Sequence, residues 1–139
     1  MDTDFQYLWD HLCHQHRVTP ATYAAFPFLT AYCQAEKSER RILLFQFLVI
    51  AELSRHRKGA PPLGKWKKYY LMAIESLKEI ALDFLNEPHD EVDTKHFLAG
   101  LAMAQNQPRL AWAILMLEPE IDCPECGAIF PPMGYDLFQ

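Results

Sequence analysis

A run of apolar residues in the first half of the chain constrains the fold more than any other feature. Ten of the twelve residues from Ile42 to Leu53 (ILLFQFLVIAEL) are apolar, and they are not confined to one stripe of a helix. A helix that is apolar nearly all round must be covered on several sides. The run is too short to span a bilayer, which needs roughly 20 apolar residues. We therefore predict a buried central helix over residues 39–57, with its neighbours wrapped around it.

Capping residues and prolines predict where the helices begin. Ser38 is the predicted N-cap of the central helix, and Thr19 followed by Pro20 predicts the start of the helix before it. Pro27 lies inside that earlier helix and predicts a kink or an interruption, because proline removes a backbone hydrogen bond. The remaining helices are predicted over residues 3–14, 66–85, 94–105 (capped by Asp93) and 108–117.

These elements together predict the fold class. No stretch between turn signals alternates with period two, so we predict an all-α fold of six helices in one domain, residues 1–139. Short connections favour antiparallel neighbours, and helix hairpins stacked side by side form an α-solenoid. Residues 118–139 contain four prolines and two glycines and are expected to form an irregular, extended tail.

Charge is distributed unevenly along the chain. The formal net charge is −5, and no Lys or Arg follows Arg109. Five acids lie in that last part of the chain: Glu118, Glu120, Asp122, Glu125 and Asp136. An acidic surface favours a basic partner and disfavours nucleic acid.

Two acidic stretches are the candidate partner-binding surface. They follow the fourth and the sixth predicted helices, and they comprise Glu87, Asp90, Glu91, Asp93, Glu118, Glu120 and Asp122. If the last two helices form an antiparallel hairpin, both stretches lie at the same end of the fold. Such a patch would steer a basic protein into contact. The alternative is a solubilising face without a partner.

The N-terminal segment and the lack of a long apolar stretch indicate the cellular compartment, which in turn indicates the state of the cysteines. The segment MDTDFQYLWD lacks the basic flank and apolar core of a signal peptide, and no stretch is long enough to cross a membrane. We therefore expect a cytoplasmic protein. In that compartment the four cysteines are thiols or metal ligands rather than disulfides.

One cysteine pair has the spacing of half a zinc knuckle. Cys123 and Cys126 form C-x-x-C followed by glycine, but a structural zinc site needs two more ligands. The candidates for these are Cys13, His14, His16 and Cys33. We expect no cofactor, and structural zinc held by this pair is the alternative.

Two further patterns give alternative functions. His89 and Glu91 fit H-x-E ahead of the C-x-x-C pair, as in zinc-dependent nucleobase deaminases, but two predicted helices separate the motifs where a deaminase needs strands. The basic segment 55–68 (RHRKGAPPLGKWKK), with Trp66, Tyr69 and Tyr70, could instead contact phosphates and stack on bases. A zinc-dependent hydrolase and a nucleic-acid-binding solenoid are therefore the alternatives.

A resemblance to a known group favours a binding protein. The segment Leu8–Leu29 (LWDHLCHQHRVTPATYAAFPFL) resembles the opening of bacterial HEAT-repeat-like proteins, through LCHQ at 12–15, TPATYAA at 19–25 and Pro27. The CPECG segment at 123–127 resembles a C-terminal feature of the same group. The resemblance implies an α-solenoid without catalytic residues. It also implies an immunity protein that binds and occludes a cognate bacterial toxin, with a basic toxin domain as partner.

Overall fold

Six α-helices dominate the part of the chain that the structure describes. The computed structural model describes residues 3–14, 17–36, 38–117, 121–122, 125 and 129–130. Within these residues the predicted all-α fold and its six helices are confirmed. The helices are α1 (Thr3–Leu12), α2 (Pro20–Ala35), α3 (Arg40–Arg55), α4 (Lys67–Leu85), α5 (Glu91–Ala104) and α6 (Pro108–Met116). A short 3-10 helix, Gly64–Trp66, leads into α4.

Two very short strand pairs accompany the helices. Strand β1 (Cys13–His14) pairs antiparallel with β2 (Arg17–Val18), and β3 (Ile121–Asp122) pairs with β4 (Ile129–Phe130). The sequence does not predict these strands, because two residues per strand are too few to show an alternating pattern.

The buried central helix is confirmed as α3. Nine of its residues are buried, from Leu44 to Ser54, and it contacts α1, α2, α5 and α6. The predicted N-cap was wrong. The position before the helix is Glu39, whose backbone is already helical, and the Ser38 carbonyl accepts a hydrogen bond from the Arg41 N–H. Backbone bonding therefore starts this helix without a side-chain cap.

Helix α2 begins where the sequence predicts. Pro20 is its first residue, and the Thr22 hydroxyl oxygen accepts a hydrogen bond from the N–H of Thr19 at 3.0 Å. The helix continues through Pro27 to Ala35, so the predicted interruption does not occur. Its buried face carries Tyr23 and Phe26, which lie against Tyr70 of α4.

An aromatic cluster joins α3, α4 and α5. Phe84 and Phe97 stack with ring centroids 4.4 Å apart, and Phe45 meets both rings edge-on. Gly100 of α5 lies directly against Phe45, since a Cβ atom there would lie 2.3 Å from the Phe45 ring. A glycine at this position lets α3 and α5 approach closely.

The helices do not pack only with their chain neighbours. Helix α4 packs against α2 and α5, and α5 also packs against α3 and α6. The stacked-hairpin arrangement of an α-solenoid stays a prediction. No helix in the described part of the chain has the length and apolar character needed to cross a membrane.

Candidate functional site

The acidic loop between α4 and α5 is the part of the candidate surface that the structure describes. Asp90 is the N-cap of α5, and its carboxylate accepts a hydrogen bond from the Asp93 N–H at 2.8 Å. The helix therefore begins at Glu91, and the prediction that Asp93 caps it was wrong. Asp90 is the N-cap because its backbone is extended, as an N-cap requires, whereas the backbone of Asp93 is already helical.

The four acids of this loop have different surroundings. Asp93 is half-buried and accepts a hydrogen bond from the Gln46 side chain at 2.7 Å. Glu91 lies 3.2 Å from the ammonium group of Lys95 and keeps 58% of its side chain exposed. Glu87 is exposed at the end of α4. Asp90 and Asp93 therefore hold the loop together, while Glu87 and Glu91 present charge to solvent.

One contact relates this loop to the second acidic stretch. The Lys95 ammonium group donates a hydrogen bond to the backbone carbonyl of Leu117, the residue that follows α6 and caps it. The start of α5 and the end of α6 therefore lie together, as the antiparallel hairpin predicted. Glu118 and Glu120 lie outside the described residues, and Asp122 is in β3. The joint patch of seven carboxylates stays a prediction.

A groove of about 850 Å³ opens beside the acidic loop. It lies between the start of α3, the end of α4 and the start of α5, and Arg41 pairs with Asp83 across it at 2.7 Å. The guanidinium of Arg41 also lies 4.6 Å above the ring of Phe84. Glu87 lines the same groove. This end of the fold therefore carries charges of both signs, with carboxylates at its rim.

His89 has a packing role. Its Nε2 atom lies 2.8 Å from the Phe84 carbonyl oxygen, and its ring meets Phe97 edge-on at 4.8 Å. Its side chain is half-buried. The chain that follows forms α5 and α6, not the strands of a deaminase. Cys123 and Cys126 of the same motif lie outside the described residues.

The two described cysteines lie at opposite ends of α3. Cys13 donates to the Ser54 hydroxyl at 3.7 Å, and Cys33 donates to the Arg41 carbonyl at 3.6 Å. Ser54 and Arg41 are thirteen residues apart on one helix, roughly 20 Å. The two thiols therefore cannot bind the same zinc ion.

Burial keeps both thiols protonated. It raises the pKa of Cys13, and it raises the pKa of Cys33 to about 11. A thiolate is the form that binds zinc, so zinc binding at either position would require loss of a proton that burial favours. His16 lies outside the described residues, as does the side chain of His14. No group of three or more acidic, histidine or cysteine side chains within the described ranges could hold a metal ion.

Part of the basic segment 55–68 and its neighbouring aromatic residues pack against the core. Tyr70, which the sequence offered as a base-stacking residue, is fully buried. Arg55 bonds to Glu52 at 2.5 Å and lies over the Tyr70 ring. Trp66 and Tyr69 are at least partly exposed, and each has a lysine over its ring, Lys65 and Lys68 respectively.

Glu52 is the polar residue that sequence reasoning missed. Its side chain is only 1% exposed, and it accepts hydrogen bonds from Arg55 and from the Tyr70 hydroxyl at 3.4 Å. Burial, followed by the charge of Glu52, raises the pKa of Tyr70 above its ordinary value. Glu52 itself sits in an apolar run, and Arg55 three residues later was the only signal of a buried pair.

Comparisons with protein-family models, with curated proteins and with solved structures give no match to this chain.

Proposed function

We propose that the protein is a non-enzymatic binding module whose acidic end docks onto a basic surface of one protein partner. The observation that carries the proposal is the contact between Lys95 and Leu117. It supports a shared end for the two acidic stretches, so that their charges add at one place. From the resemblance stated above, the proposed partner is a bacterial toxin domain, which the protein occludes as an immunity protein.

The surroundings of the acids suggest which of them contact the partner. Glu87 and Glu91 are both exposed and can meet cationic side chains of a partner. Asp90 caps α5 and Asp93 binds Gln46, so substituting either would disturb the fold as well as the surface. Glu91 is coupled to Lys95, which also bonds Leu117. Glu87 is therefore the position at which a substitution tests the surface charge with the least effect on the fold.

The test measures association kinetics with the product of the neighbouring gene. Glu87→Lys should slow association roughly threefold to tenfold at low ionic strength, because charge of one sign steers diffusional encounter. The difference should shrink as added salt shortens the Debye length from ~30 Å at 0.01 M to ~8 Å at 0.15 M.

Glu75→Lys is the matched control. Glu75 is exposed on α4 and lies ten residues before its last residue, roughly 15 Å from the acidic loop. Glu75→Lys changes the net charge by the same amount as Glu87→Lys, and it should slow association much less. Equal rates for the two variants would reject the acidic end as the interface. Absence of any complex with the neighbouring product would reject the immunity assignment.

A further inference from the structure

A second groove lies at the opposite end of α3 from the acidic loop. The C-terminal end of α3 and the N-terminal end of α6 enclose about 670 Å³. Leu53, Pro108 and Trp112 are its apolar lining residues, and we refer to them as its floor. Trp112 is 53% exposed, although a tryptophan side chain gains more from burial than almost any other.

Arginine side chains are among the other residues that line the groove. His56, Arg57 and Arg109 line the groove, and an adjoining cleft is lined by Arg57 together with Arg17 and Lys58. An apolar floor with a cationic rim is complementary to a peptide that carries apolar side chains next to a carboxylate.

We propose that this groove binds the C-terminal segment of the same chain, residues 131–139 (PPMGYDLFQ). Leu137 and Phe138 supply apolar side chains for the floor, and Asp136 supplies a carboxylate for the rim. The segment contains no Lys or Arg, so nothing in it is repelled by the arginines. Its docking would also cover the exposed ring of Trp112.

The chain is long enough for this contact. Ile121 pairs with Phe130, so at Phe130 the chain lies beside Ile121 again. Ile121 is only four residues beyond Leu117, the C-cap of α6. Helix α6 has nine residues and is about 14 Å long. Nine further residues can extend by about 30 Å. Residues 131–139 can therefore run back along α6 to the groove at its other end.

Fluorine NMR of the full chain labelled with fluorotryptophan tests the proposal. The chain has three tryptophans, and Trp112→Phe identifies the resonance of interest. In the unsubstituted protein, the shift of that resonance between H2O and D2O should be well below that of free fluorotryptophan. Joint substitution Leu137→Asp and Phe138→Asp should raise it towards the free value, because the segment would leave the groove.

A charge exchange makes the test specific. Asp136→Arg should expose Trp112, and Arg109→Glu in the same chain should restore its protection. Phe28→Asp is the control, since Phe28 is 78% exposed on α2 and does not line the groove. Circular dichroism checks that every variant stays helical.

Three results would overturn the proposal. The first is a Trp112 resonance that already shows the full solvent shift in the unsubstituted protein. The second is a shift that the Leu137 and Phe138 substitutions do not change, or that Phe28→Asp changes equally. The third is protection that increases with protein concentration, which would assign the groove to the segment of a second copy.

Discussion

Helices α3 and α6 are both rich in apolar residues, yet they have opposite surroundings. Nine residues of α3 are buried, whereas Ala111 is the one buried residue of α6. Phe47 of α3 has no exposed surface, while Trp112 and Met116 of α6 are more than half exposed. Helix α3 is covered from several sides, and α6 lies at the edge, against α5 and one end of α3. Position in the fold, rather than composition, decides how much each helix stabilises it.

The charged residues of the two helices also have different surroundings. Helix α3 buries Glu52, which requires Arg55 and Tyr70 as partners. Arg109 of α6 is exposed to solvent and lines a groove. A charge inside the fold must be paired, while a charge at the edge is available for a binding partner.

Phe47→Asp should have the largest effect. It places a carboxylate without a partner among residues that exclude water, and the cost of several kcal/mol is comparable to the whole stability of a domain this size. We expect loss of the cooperative thermal transition, measured by circular dichroism at 222 nm, the usual helical wavelength. A melting curve close to that of the unsubstituted protein would show that α3 is not the centre of the fold.

Glu52→Ala should have the next largest effect. It leaves Arg55 half-buried without its carboxylate, and removing one partner of such a pair costs about 3 kcal/mol. The free energy of unfolding in urea measures the loss. Glu52→Gln keeps the shape and one acceptor, so it should cost less.

The double variant Glu52→Leu with Arg55→Leu isolates the cause. It removes both charges together and should recover part of the stability lost in Glu52→Ala, because no unpaired charge remains. If Glu52→Ala unfolds at the same urea concentration as the unsubstituted protein, the buried pair contributes nothing to stability.

Leu110→Asp on α6 should have the smallest effect. Leu110 is 52% exposed, so a carboxylate there remains hydrated, and the expected loss is below about 1 kcal/mol. The same urea titration measures it beside Phe47→Asp, which introduces the same charge. A loss as large as that of Phe47→Asp would mean that α6 is covered as fully as α3, and the contrast between the helices would fail.

The sequence by itself determined the helices and the most buried of them. The run from Ile42 to Leu53 is apolar on every side of a helix, and such a helix is stable only when others cover it. Thr19 and Pro20 located the start of α2 because the fixed backbone angle of proline suits the first position of a helix. The choice of Asp93 over Asp90 as a cap was wrong, since both residue types fit and backbone conformation decides between them.

Only the tertiary structure decided which residues meet across the fold. Glu52 and Arg55 are neighbours on one helix, but α4 brings Tyr70 over the pair. Cys13 and Cys33 were separated because each lies against a different end of α3. Lys95 reaches Leu117 because α5 and α6 run antiparallel. Cys13 to Ser54, Glu52 to Tyr70 and Lys95 to Leu117 are contacts between residues far apart in the chain, and local sequence patterns carry no record of them. The exposure of α6 was also decided by the tertiary structure. The residues of α6 are as apolar as those of a buried helix, so its composition does not explain why they are exposed.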